Sequence, residues 1–187
     1  MNDSFGTSCF ISSSISLICY NISNLFYTMP MPIHVLTPQA IEQQLHNAEQ
    51  LCKQRQKRLT PIRKQVLELL IRAQRSLKAY ELLDQIKTIQ PNAAPPTVYR
   101  ALDFLTEEGL IHRLDAINAW TACVDVAGEP HDLLVVCTQC GAVAEMRAPR
   151  LSEQINDCIL QAGFALASPE TELRAVCLQC HQSSPHK

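Results

Sequence analysis

The sequence predicts an α+β protein in two parts, a helical part closed by a small hairpin and then a compact α/β unit. Three observations predict it. Apolar residues recur at helical spacing through four segments of the first part, whereas short extended runs fill the second. Charge divides the 187 residues in the same place. Residues 1–49 hold Asp3, Glu42 and Glu49 with no Lys or Arg; residues 50–114 hold twelve basic and six acidic side chains; residues 115–187 hold four basic and nine acidic ones. The three segments carry −3, +6 and −5, so the chain's net −2 hides a basic middle and an acidic end. Finally, two Cys-x2-Cys pairs, Cys137/Cys140 and Cys177/Cys180, lie in the acidic part.

Thr37-Pro38 opens the first helix, because Thr caps well and Pro suits the first helical position. Ile41, Leu45, Ala48 and Leu51 follow at helical spacing. Thr60-Pro61 repeats the signal ahead of Ile62, Val66, Leu69 and Leu70. A third helix carries Leu82, Leu83, Ile86 and Ile89 and stops at Pro91. A fourth runs from about Pro96 through Val98, Ala101, Leu102 and Leu105 to Gly109. Two extended runs, Leu110 to Asp115 and Ala119 to Val124, are joined by an Asn-containing turn.

Helices followed by such a hairpin make a winged helix-turn-helix, in which the fourth helix enters the major groove of DNA. Its outward side then carries Thr97, Tyr99 and Arg100. Arg100 can meet guanine or phosphate, and Thr97 and Tyr99 can reach phosphate or a thymine methyl. A basic segment also suits a polyanion, although the same charge serves an ordinary solvated surface.

In the second part, Leu133 to Cys137 and Ala142 to Met146 read as strands. Leu151, Ile155 and Ile159 mark a helix ended by Gly163, and Phe164 to Leu166 and Leu173 to Cys177 read as two more strands. About 65 residues hide apolar faces poorly, which favours pairing with a second copy.

The first 28 residues have one charge, Asp3, and serines interrupt their apolar run. They lack both the form of a secretory signal and the length of a membrane span. Residues 1–36 are therefore expected to be an extension, with Met1, Met29 and Met31 as alternative starts.

Of the nine cysteines, the two close pairs bridge poorly as disulfides and hold one metal well, which favours a cytoplasmic protein. Four thiolates close a tetrahedral zinc site, so this zinc is expected to be structural. A dithiol redox role would need a helix N-terminus after the first pair, and Gly141 and a strand follow instead. A second set comprises His112, Cys123, His131 and Glu145, one thiolate, two imidazoles and one carboxylate drawn from both sides of the boundary. Taken singly, each has a duller explanation as a surface or loop polar residue or a small buried thiol. A hydrolytic enzyme using that set lacks an acid–base pair, and four protein ligands leave no position for water.

Leu59-Thr-Pro-Ile-Arg-Lys-Gln-Val-Leu, Pro96-Thr-Val-Tyr-Arg-Ala-Leu-Asp-Phe-Leu and the pair Cys137/Cys140 resemble the ferric uptake regulator family, nearest its zinc uptake regulator branch. The resemblance covers roughly residues 42–181. The segment before the first Cys pair has a single His, His131, where iron-sensing relatives are His-rich, and Cys123 adds a thiolate. The resemblance implies a non-enzymatic repressor that dimerises, binds palindromic operators of zinc-uptake genes and takes zinc as co-repressor. It implies two zinc ions per chain, a structural one on Cys137, Cys140, Cys177 and Cys180 and a regulatory one on His112, Cys123, His131 and Glu145. An iron- or peroxide-responsive regulator is the alternative. The expected organisation is a DNA-binding domain at 37–124, a hinge at 125–131, a dimerisation and zinc domain at 132–181 and a tail at 182–187. No membrane or small-molecule substrate is expected, and His181 and His186 receive no role.

Overall fold

The computed structural model describes residues 36–124, 132–168 and 170–183, all within one compact unit, residues 33–187. Residues 1–35 of the extension expected at 1–36, the hinge at 125–131 and His186 lie outside the described residues, and Leu36, the extension's last residue, packs against the helical core.

Four helices come first: α1 (Pro38–Gln54), α2 (Pro61–Ala73), α3 (Ala79–Ile89) and α4 (Pro95–Glu107). Both Thr-Pro signals open helices, and the Thr37 hydroxyl accepts the Ala40 amide at 3.2 Å, a side-chain cap. Helix α2 lies between its neighbours and touches α1, α3 and α4. Their shared core holds Val66, Leu67 and Leu70 of α2, Leu82 and Ile86 of α3 and Leu102 and Leu105 of α4, all at most 1% exposed. Each such side chain contributes about 1.5–3 kcal/mol of burial. Ile89, expected on the core stripe of α3, is instead its last residue and 58% exposed.

Strands β1 (Ile111–Leu114) and β2 (Ala119–Ala122) form the antiparallel wing. Asn118, at φ +50°, makes the turn, a position that Asn tolerates better than most residues. Leu77 and Trp120 exchange two backbone hydrogen bonds of 2.8 Å, which ties the α2–α3 loop to the wing. This is the winged helix-turn-helix of the sequence reading.

The second part is a three-stranded sheet in the order β4 (Val143–Met146), β3 (Leu133–Cys137), β5 (Thr171–Ala175), with α5 (Pro149–Gln161) between β4 and β5. Strand β3 pairs antiparallel with β4 and parallel with β5. Two expectations change. Phe164 to Leu166 forms no strand; it follows the left-handed turn at Gly163 (φ +83°), and Phe164 lies 72% exposed. The final strand starts two residues earlier than Leu173, and the chain beyond Cys177 turns into a short helix, α6 (Leu178–Ser183).

Leu134 and Val136 alternate onto one face of β3 and pack with Leu114 of the wing, Ile117 and Val143. The wing is therefore buried against the sheet. Among the described residues no helix is long and apolar enough to cross a membrane.

Candidate metal centres and helix α4

Helix α4 buries Val98, Ala101, Leu102 and Leu105 and exposes Thr97, Tyr99 and Arg100. The Tyr99 ring stands edge-on to Trp120, 6.3 Å between centroids, so it braces the wing as well as facing outward. The Arg100 side chain makes no hydrogen bond or ion pair with another described residue. At the far end of α4, buried Glu108 is gripped by Arg55, whose Nη1 donates to the Glu108 carbonyl at 2.6 Å and lies 3.4 Å from Oε2. That contact fixes α4 against the end of α1.

The four paired cysteines come together at the end of the sheet. Their sulfurs all lie within 4.8 Å of one another, and Cys140 Sγ is 3.8 Å from Cys177 Sγ. Thiolates 2.3 Å from a central zinc at tetrahedral angles are separated by about 3.8 Å, so the donor set fits that ion. Burial raises the Cys137 thiol pKa, but the amides of Cys177, Cys140 and Gln139 overcome it and bring the pKa down to about 6. Cys180, hydrogen-bonded by Cys177 and Cys140, is pushed up to about 12. No disulfide joins these residues.

The second centre forms where the wing meets the sheet. His112, on the same face of β1 as Leu114, is 7% exposed, and Cys123 leaves β2 with its amide donating to the Leu110 carbonyl at 3.0 Å. Glu145 reaches them from β4: its Oε2 is 3.6 Å from His112 Nε2 and 3.7 Å from Cys123 Sγ. The Val124 amide donates to both carboxylate oxygens, at 3.1 and 3.2 Å, and aims the group. A tetrahedral zinc with N, S and O ligands needs separations of about 3.3–3.6 Å, and those found lie at or just above that range. Burial pushes the His112 pKa down, but the nearby Cys123 thiol and the Glu145 and Glu170 carboxylates outweigh it and raise it to about 12. The structure therefore brings His112, Cys123 and Glu145 together; the fourth expected ligand, His131, lies outside the described residues.

The sequence profile of the Ferric uptake regulator family matches residues 54–174, more than half of the chain. The chain belongs to the ferric uptake regulator family. It is similar to the zinc uptake regulation protein of Escherichia coli (strain K12), at 38% identity over 137 residues, 73% of this chain and 80% of that protein. The ferric uptake regulation protein of Helicobacter pylori (strain ATCC 700392 / 26695) is 26% identical over 121 residues, 65% of this chain and 80% of that one. Among solved structures, a zinc uptake regulator complexed with zinc and DNA superposes with a TM-score of 0.69 at 36% identity, covering 76% of this chain and 96% of that one. The holo form of a second regulator, XcZur, gives 0.63 at 35% identity and covers 74% and 96%.

Three contacts beside these centres escape a reading of spacing and motifs. Glu170 Oε1 lies 3.1 Å from His112 Nδ1, and Glu172 Oε2 accepts the Ala116 amide at 3.2 Å. Ser76, in the α2–α3 loop, donates through both its amide and its hydroxyl to the Gly141 carbonyl, at 2.9 Å each. An acidic alternation, Glu170 and Glu172, at the start of a strand was the available signal; the expected strand began too late to include it.

Proposed function

We propose that the chain is a zinc-responsive transcriptional repressor that binds palindromic operators of zinc-uptake genes as a homodimer. The observation that carries this reading is the junction centre. Two of its members, His112 and Cys123, belong to the wing, while Glu145 belongs to the sheet. When bound, zinc would supply one more tie between the two parts, fixing the reading helix relative to the sheet. That tie shifts the balance toward the DNA-competent arrangement only by the difference in zinc affinity between the two arrangements.

Further support comes from each remaining element of the proposal. Cys137, Cys140, Cys177 and Cys180 form the closed structural site, giving two zinc ions per chain with His131 completing the regulatory one. Thr97, Tyr99 and Arg100 present polar groups on the exposed side of α4, the helix that enters the major groove in this architecture. No residue of α5 is buried, and Leu151, Leu160, Phe164, Leu173, Val176 and Leu178 are each at least 40% exposed. A second copy covering these faces would make the dimer, and two copies would match a palindrome. The named zinc uptake regulators among the relatives point to zinc over iron.

The test is an operator-binding titration of metal-stripped protein against free zinc, repeated with ferrous iron, with bound metal counted per chain. Zinc restores tight binding and about two ions load per chain if the proposal holds. Restoration by iron alone would transfer the reading to an iron sensor, and DNA binding indifferent to both metals would end it.

A further inference from the structure

Glu170 belongs to neither ligand set, yet its carboxylate meets the one nitrogen of His112 that faces away from the junction. His112 Nε2 lies 3.6 Å from Glu145 Oε2, on the side of the junction, whereas Nδ1 lies 3.1 Å from Glu170 Oε1. The geometry points to a positioning residue: we propose that Glu170 holds the His112 ring in the orientation and tautomer that present Nε2 to the regulatory zinc. The inference rests on the reading of His112, Cys123 and Glu145 as a zinc site.

An imidazole can turn about its Cβ–Cγ bond and can carry its proton on either nitrogen, so an unheld ring offers the wrong atom part of the time. A carboxylate that accepts the Nδ1 proton removes both freedoms and makes Nε2 a stronger donor. Glu170 is itself held. Its amide donates to Ser168 Oγ, and the Ser168 hydroxyl donates to the Glu170 carbonyl, at 3.1 Å each. The next residue, Thr171, donates its amide to the Asp132 carbonyl at 2.9 Å, which anchors the start of β5 beside β3. The His112 side chain is 8% exposed and that of Glu170 35%, so the bond forms at the rim of the junction, with the imidazole dry and the carboxylate partly in water. Two residues along, Glu172 makes the same kind of reach from β5 to the wing, accepting the Ala116 amide. Strand β5 and the residue just before it therefore touch the wing twice, and one of those touches is to a proposed zinc ligand.

The experiment compares full-length parent with Glu170→Ala, Glu170→Gln and His112→Ala, measuring the affinity of the second zinc by competition with a chromophoric chelator. Bound zinc at the four-cysteine site is counted in parallel. Glu170→Ala should weaken the second zinc by about 10–100-fold, the usual loss when a ligand histidine loses its outer partner, while one zinc per chain remains. Glu170→Gln should recover most of the affinity, because its amide oxygen still accepts from Nδ1–H. Parent affinity in Glu170→Ala, or equal losses in the Ala and Gln variants, would overturn the inference. If His112→Ala abolishes the second zinc while Glu170→Ala leaves it untouched, only the role of Glu170 falls. If His112→Ala also binds like the parent, the junction site and this inference fall together.

Discussion

Replacing Gly141 by alanine would strain the point where the four-cysteine cluster meets the winged helix. Gly141 follows Cys140 directly and sits at φ +74°, a left-handed conformation that costs an L side chain about 1–2 kcal/mol. A Cβ built there lies 2.8 Å from Ser76 Oγ, closer than contact allows. The serine hydroxyl must turn away, and it then loses its 2.9 Å bond to the Gly141 carbonyl. Ser76 is 4% exposed, so the lost bond costs about 1 kcal/mol or more. The sum is about 2–3 kcal/mol, or a fall of roughly 5–10 °C in melting temperature for a unit of this size. Ser76→Ala alone should cost about 1 kcal/mol, since the Ser76 amide still donates to the same carbonyl. The two substitutions should not add: with alanine at 141 the hydroxyl is already displaced, so the double variant should be about as stable as Gly141→Ala. Thermal melts at fixed free zinc read all four proteins. A Gly141→Ala protein melting within a degree of the parent, or strict additivity in the cycle, would refute the reasoning.

Four further outcomes are expected. Cys123→Ser should lose the zinc response of operator binding by at least about 100-fold in zinc concentration, since a serine hydroxyl is a poor zinc ligand; bound zinc should fall to about one per chain, and an unchanged midpoint would place the sensor elsewhere. Cys177→Ser should release the structural zinc and dissociate or destabilise the dimer, read by sedimentation and metal counting, because binding energy at such a site is folding energy. Arg100→Ala should weaken operator binding by about 1–3 kcal/mol with metal content unchanged; if the loss falls on all DNA alike with a shallower salt slope, Arg100 grips phosphate and not a base. Glu81, whose carboxyl pKa is lowered chiefly by the Lys78 amide and then by Arg75, contributes stability above the ordinary value of 4.5 that is lost as pH falls through its lower folded value; Glu81→Gln should therefore flatten the acid limb of a stability–pH curve.

Local rules made most of the fold legible. Thr37-Pro38 and Thr60-Pro61 announce helices through chemistry confined to a few residues, and the stripe Val98, Ala101, Leu102, Leu105 is buried along its whole length. Apolar character without partners misleads. Phe164 to Leu166 looks like a strand, but strands exist only where another backbone pairs with them, and among the described residues no strand pairs with these three. Helix α6 was hidden because Cys177-Leu-Gln-Cys180 reads as a metal-binding turn, and six residues carry too little periodicity to say more. The two cysteine pairs could be joined from spacing because two such pairs have few other uses. Glu170 could not be joined to His112, because Pro169-Glu170-Thr171-Glu172 has the composition of a solvated acidic loop. Its partner, 58 residues away, is set by the parallel pairing of β5 with β3.

That pairing makes the two centres depend on each other. Opposite Leu134 of β3 stand Glu145 of β4 and Glu172 of β5, so one row across the sheet brings both acids to the side that faces the wing. Side chains alternate along a strand, so a slip of one residue would send Glu145, or Glu170 and Glu172 together, to the opposite face. The strands themselves are short, at four or five residues, and hold register weakly. What pins them is the cluster at their ends. Strand β3 ends at Cys137, β5 leads within two residues to Cys177, and the Cys177 amide lies 3.4 Å from Cys137 Sγ. Thiolates gathered there fix where each strand stops, and hence which acids meet the wing some five residues back. The four-cysteine cluster, proposed as the structural zinc site, thereby sets the geometry of the site proposed to sense zinc.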